Sequence, residues 1–199
     1  MLTTLTAPAT THRTVAASNI DNRPAYLAFA ASYLLGHGGT ALTIGAKPVL
    51  GIPPWIPVIA LVAGILGGTA FAIIAATRAQ HGLTAFEARP AKLLGLAWIT
   101  GFTGLFFAIT GLSANSIDPS LQSALWPAGS ALVVGLISIA EGAARRDTIH
   151  YVLGTFLVLL AGATLLLPAP ASIGVLAVLG GSGYVVAALQ VNRTRQIRL

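Results

Sequence analysis

The chain has 199 residues, 55% of them hydrophobic and only 8% charged, with a formal net charge of +6. A soluble domain carries about 25% charged residues, so this composition cannot cover a water-facing surface and describes one membrane domain. There is no cysteine, which excludes disulfides and thiolate-based zinc or iron–sulfur sites.

Residues 1–23 are rich in Thr and Ala, carry Arg13 and Arg23, and contain no apolar run. They read as a disordered cytoplasmic tail, because a signal peptide would place its apolar core nearer the start. Residues 24–190 then hold six apolar segments: Ala25 to Gly45, Trp55 to Thr77, Leu93 to Leu112, Leu121 to Ala140, Tyr151 to Pro168 and Ala171 to Gln190. Each is close to the roughly 20 residues that cross about 30 Å of hydrocarbon. The connections hold the expected breakers, KPVLGIPP, RAQHGLTAFEARPAK, NSIDPS, EGAARRD and PAP. Residues 191–199 form a basic tail. The expected fold is therefore an all-α, polytopic bundle of six transmembrane helices.

The basic residues set its orientation. Arg13 and Arg23 precede the first segment, and Arg78, Arg89 and Lys92 lie in or beside the second connection. Arg145 and Arg146 lie in the fourth, and Arg193, Arg195 and Arg198 follow the sixth segment, leaving Lys47 alone on the other side. The positive-inside bias places both termini in the cytoplasm of a plasma-membrane protein. A nucleic-acid protein has no reason to alternate its basic residues between apolar runs. Trp55 and Trp126 are expected at one membrane interface, and Tyr26 and Tyr151 at the other.

Small residues recur every fourth position in the second segment, at Ala60, Gly64, Gly68, Ala72 and Ala76, and in the first at Ala28, Ser32, Gly36 and Thr40. This spacing keeps them on one helix face, where they permit close helix approach in lipid. No Asp, Glu, Lys or Arg lies near the middle of a segment. Glu141 ends the fourth segment four residues before Arg145, the spacing of a local ion pair. His37 is the one side chain deep in a segment that titrates near neutral pH. It is either a neutral imidazole bonded to a neighbouring carbonyl or a proton or anion site. The hydroxyls of Thr69, Thr100, Thr103, Ser130, Ser138, Thr164 and Ser182 can each bond their own helix backbone. No phosphate loop, H-E-x-x-H, G-x-S-x-G or carboxylate pair is present, so no enzyme, cofactor or metal is expected.

Three stretches carry a resemblance. Asn22-Arg23-Pro24-Ala25 is similar to an Asn-Pro-x-Pro element before a first helix. Leu66-Gly67-Gly68-Thr69-Ala70-Phe71 resembles an aromatic-Gly-Gly-x-x-Gln element, with Leu for the aromatic residue and Phe71 for the glutamine. Gly82-Leu83-Thr84-Ala85-Phe86 matches a Phe-Gly-x-Thr-Ala-Phe element from its glycine onward. In these and in its six-segment layout the chain resembles the acetate uptake transporter family. The resemblance implies passage of a small monocarboxylate anion through each subunit of a homo-oligomeric ring. It names His37, Gly67, Gly68, Thr69 and Thr84 as residues along the path. The chain also looks like small six-helix actinobacterial permease-like proteins of ABC transporters, which implies a separate ATPase subunit. Glu141-Gly142-Ala143-Ala144 is faintly similar to the docking loop of such importers. A third expectation is a non-transporting accessory protein, in which the small-residue stripes only pack helices.

Overall fold

The computed structural model describes residues 21–44, 47–81, 84–86, 88–116 and 120–196. The tail over residues 1–20, Gly82 and Leu83 of the second connection, and Arg198 lie outside them. Six helices form, and no strand occurs among the described residues. Helix α1 covers 23–43, with a π-helical stretch at Ser32–His37. Helices α2 (Trp55–Gln80), α3 (Arg89–Ala114) and α4 (Ser120–Arg145) each have 26 residues. Helix α5 is Thr148–Thr164, and α6 covers 169–196 with a second π stretch at Leu176–Gly180. The helices coincide with the six apolar segments of the sequence. Helix α6 runs on past the sixth segment through Arg193 and Arg195 to Gln196.

Four helices are long and apolar enough to cross a membrane: α2, α3, α4 and Ala169–Val191 of α6. A helix of 26 residues spans about 39 Å at 1.5 Å per residue. Helix α5 has only 17 residues, but three tighter bonds extend it to the proline that stops it. Leu165, Leu166 and Leu167 donate their N–H groups to Gly162, Ala163 and Thr164. Helix α1 remains continuous through its π stretch.

The core is drawn from α1, α4, α5 and α6, and includes Ala30, Ala131, Leu157 and Leu176. Helices α2 and α3 flank it. In each, only 6% of the most apolar window is buried, against 50% in α6. Leu66, Ile73, Ile99 and Phe107 on these flanks face outward. A water-soluble monomer does not expose apolar faces of this extent, so the surface is suited to lipid.

Neighbouring helices pack by small residues. A Cβ on Gly64 would stand 2.8 Å from the Cα of Ser32, and one on Gly36 would stand 2.6 Å from the Cα of Leu61. Gly68 lies under the Phe29 ring and Gly39 against Pro57. Both four-residue stripes therefore meet in one antiparallel seam. Helices α1 and α6 are also antiparallel, with Ala41 near Gly174 and Tyr33 near Gly180. In the same way Gly142 faces Tyr151 across α4 and α5, while Gly129 faces Leu105 across α3 and α4. This alternation brings the start of α1 and the α2–α3 and α4–α5 connections to one end of the bundle, together with the close of α6. Among the described residues, that end holds Arg23, Arg78, Arg89, Lys92, Arg145, Arg146, Arg193 and Arg195, and Lys47 lies at the other.

Candidate functional site

The α4–α5 turn builds the site. Asp147 donates its N–H to the Gly142 carbonyl (2.8 Å), and Arg146 donates to Ala143 (3.3 Å). With Arg146 in the left-handed region at φ 55°, this is a Schellman closure. Asp147 then caps α5, its Oδ1 accepting the His150 N–H at 3.0 Å. Two residues thus reverse the chain and hold two backbones almost in contact. A Cβ on Gly142 would lie 2.5 Å from the Tyr151 nitrogen.

This reversal sets Glu141, in the last turn of α4, against His150, in the first turn of α5. Glu141 Oε2 lies 3.3 Å from His150 Nε2 and 3.5 Å from Arg145 Nη1. The His150 contact is at ion-pair distance but lies off the line of a hydrogen bond, and Nε2 is buried. From α3, Trp98 donates its indole N–H to Glu141 Oε1 at 3.0 Å. From α1, the Tyr26 hydroxyl lies 2.7 Å from His150 Nδ1. Glu141 is buried among groups from four helices. A carboxylate removed from water requires such pairing, since the isolated ion would be strongly destabilised.

An aromatic column continues from this cluster along the α1–α6 seam. Tyr184 lies 6.2 Å from Tyr26, 5.5 Å from Phe29 and 5.4 Å from Tyr33, ring centre to ring centre. Tyr33 meets His37 edge-on at 5.1 Å. All three tyrosines are buried. The two π stretches face each other here, Tyr33 packing on Gly180, and Gly38 lying near Ala177. Single π turns often mark functional positions in helices.

The residues named from the sequence do not form one cluster. His37 ends the column. Gly67 faces Ala28 at 4.0 Å for an added Cβ, and Gly68 lies under Phe29, so both pack α2 against α1. Thr69 is exposed on α2. Thr84 is exposed in the α2–α3 connection, where its carbonyl accepts the Ala88 N–H at 3.0 Å. Tyr26, expected at an interface, is instead 3% exposed inside the bundle. His150 completes the charge cluster from the next helix and is not among the residues expected from the sequence. Its signal was a titratable residue three positions after an N-cap aspartate, just beyond a short turn from Glu141. Glu141 to Ala144 belong to a helical turn, with Glu141 facing inward rather than presented in a loop. Near the opposite end, α1 and α2 border an apolar groove of about 340 Å³ lined by Leu34, Leu42, Leu50 and Ile56, among others. It offers no charged partner to an anion. Among the described residues, no group of His, Asp and Glu is placed to hold a metal. No protein-family model, curated protein or solved structure matches the chain.

Proposed function

We propose that the chain is a six-span plasma-membrane permease with both termini in the cytoplasm, acting on a small solute, a monocarboxylate such as acetate first. One observation carries this reading: titratable and aromatic polar side chains run inside an apolar bundle, from Glu141 and His150 through Tyr26, Tyr184 and Tyr33 to His37. Polar groups at membrane depth are costly and by default mark solute or ion pathways. Hydroxyl and imidazole donors along this seam could take the place of water around a carboxylate, without a fixed cation at mid-depth. The path proposed is therefore the α1–α6 seam, with His37 on it and Gly67 and Gly68 serving the neighbouring seam.

The peripheral position of α2 and α3 favours a second reading, in which their outward faces dock on another membrane protein and the chain is an accessory subunit. A homo-oligomer would use the same faces. Uptake of labelled acetate and related monocarboxylates into proteoliposomes separates these readings. The permease reading expects protein-dependent flux that falls at least tenfold in Tyr33→Phe or His37→Gln. Absence of flux for every monocarboxylate, with co-purification of a stable membrane partner, would favour the accessory reading. Co-purification of an ATPase would instead identify the chain as the permease part of an ATP-driven pair.

A further inference from the structure

The groove between α1 and α2 has a shape and a direction that the flat outward faces of α2 and α3 lack. Its walls are Leu34, Leu35 and Leu42 from α1, Ile56 from the first turn of α2, and Leu50 and Ile52 from the α1–α2 connection. Each of these side chains is more than a third exposed, from 37% for Leu50 to 64% for Leu35. Val49 and Leu50 both donate their N–H groups to the Leu42 carbonyl, at 2.9 and 3.0 Å. These two bonds fold the connection back on the last turn of α1, where Leu50 and Ile52 wall the groove. The groove runs from Leu42, in that last turn, to Leu34 and Leu35 near the middle of the helix. At 1.5 Å per residue this is about 10–12 Å along the axis, from the rim of the apolar region toward its centre.

The walls carry no charge, but a charge stands at the rim. Lys47 is exposed and precedes Val49 by two residues, so its backbone lies within about 7 Å of the N–H that bonds Leu42. A lysine carries its ammonium on a flexible four-carbon stem, long enough to meet a group seated at the mouth of the groove. Among the described residues Lys47 is the only charged group at this end of the bundle, and no carboxylate stands there to neutralise it. An apolar slot leading inward from a single cation is the complement of a lipid anion, whose charged head is followed by a hydrocarbon chain. Size separates such a chain from a partner helix. The groove holds about 340 Å³. A helix about 10–12 Å across would occupy on the order of 1,000 Å³ over the same length.

We propose that this groove is a lipid site, in which one acyl chain of an anionic phospholipid lies between α1 and α2 with its phosphate paired to Lys47. The chain enters sideways from the bilayer, past the exposed Ile59 and Val62 of α2. Helix α2 packs chiefly on α1, so a lipid seated in their seam fastens a peripheral helix to the core. Anionic lipids also gather around the cations at the opposite end, and the test therefore reads position as well as amount.

The full chain is photolabelled in phosphatidylcholine nanodiscs doped with phosphatidylglycerol that bears a diazirine on one acyl chain. Phosphatidylcholine bearing the same chain is the comparison, and adducts are located by mass spectrometry. Residues 34–42 and 50–60 should be labelled by the phosphatidylglycerol probe at about fivefold the yield of the phosphatidylcholine probe, the factor that one lysine near a membrane surface provides. Lys47→Gln should bring the two yields together, while Lys47→Arg keeps them apart. Leu50→Trp, which fills the groove from the connection, should lower both yields there and leave labelling at Ile99 and Phe107 on α3 unchanged. If Leu50→Trp does not fold, Ile56→Trp makes the same test from α2. Equal yields in the unsubstituted chain, or a preference that survives Lys47→Gln, would overturn the proposal. So would unlabelled walls, whether a second copy covers the groove or nothing enters it, and so would walls that take a diazirine fatty acid in preference to phosphatidylglycerol. No flux is measured, so the result stands apart from whether the protein transports.

Discussion

At the residue scale, several helix threonines follow a local rule. Thr40 bonds the Gly36 carbonyl, Thr100 that of Leu96, and Thr164 that of Ala161, each satisfied within its own helix. Ser32 departs from it, donating at 2.9 Å to Leu61 of the neighbouring helix. Ser32→Ala should therefore cost about 0.6–1.7 kcal/mol, the range of interhelical bonds in membrane proteins, measured by unfolding in mixed micelles. Arg146 shows the opposite economy. A non-glycine residue with φ 55° is strained by about 1–2 kcal/mol. Arg146→Gly should raise stability by about 1 kcal/mol in the same assay, provided the loss of one exposed charge matters little. Trp98→Phe keeps an aromatic ring but leaves Glu141 without its indole donor, and should cost about 1.5–3 kcal/mol, the range for bonds to charged groups.

At the element scale, glycines decide which helices can meet at backbone distance. A Cβ on Gly154 would stand 2.7 Å from the Gly135 carbonyl oxygen and from the Ile139 nitrogen. Both are main-chain atoms, which cannot rotate away as a side chain can. Gly154→Val should therefore separate α4 from α5 and destabilise by at least about 1–3 kcal/mol. The same variant should also disturb the Glu141–His150 pair one to two turns away, visible in the His150 resonance. By contrast, Gly104 and Gly162 have open space around them, and Ala at either position should be tolerated within about 0.5 kcal/mol. The paired π stretches place Tyr33 and Tyr184 on the same seam, and the sequence gives no spacing that announces them. A π turn arises from one added residue per turn, which four-residue periodicity conceals rather than displays.

At the scale of the whole molecule, the proposed six-span topology can be tested directly because the chain has no cysteine. In intact cells Ser116→Cys, in the connection after α3, should label with an impermeant maleimide, and Thr148→Cys, at the start of α5, should label only after lysis. Labelling in the reverse pattern would invert the bundle. The arrangement of basic residues at one end was legible in the sequence because successive antiparallel helices return every second connection to the same end. The six helices were legible because each is an apolar run of helical length set between breaker residues. The stripes on α1 and α2 were legible because a helix repeats every 3.6 residues, and both stripes do face each other.

The site was legible only in fragments. Glu141 and Arg145 were paired from their spacing, and His37 was singled out by its depth. Gly67 and Gly68 lie on the α1–α2 seam, and Thr69 and Thr84 lie on exposed positions away from the column. His150, Trp98, Tyr26 and Tyr184 come from four helices, and their meeting depends on how those helices cross. Composition and periodicity by themselves determined that this is an apolar helical bundle and where its helices lie, because those properties follow from local backbone physics and from the solvent. Only the tertiary structure decided that α1, α4, α5 and α6 form the core and that a buried carboxylate, an imidazole and a phenol share one end of it. Those facts depend on long-range packing of surfaces that all read alike, as apolar and small, along the chain.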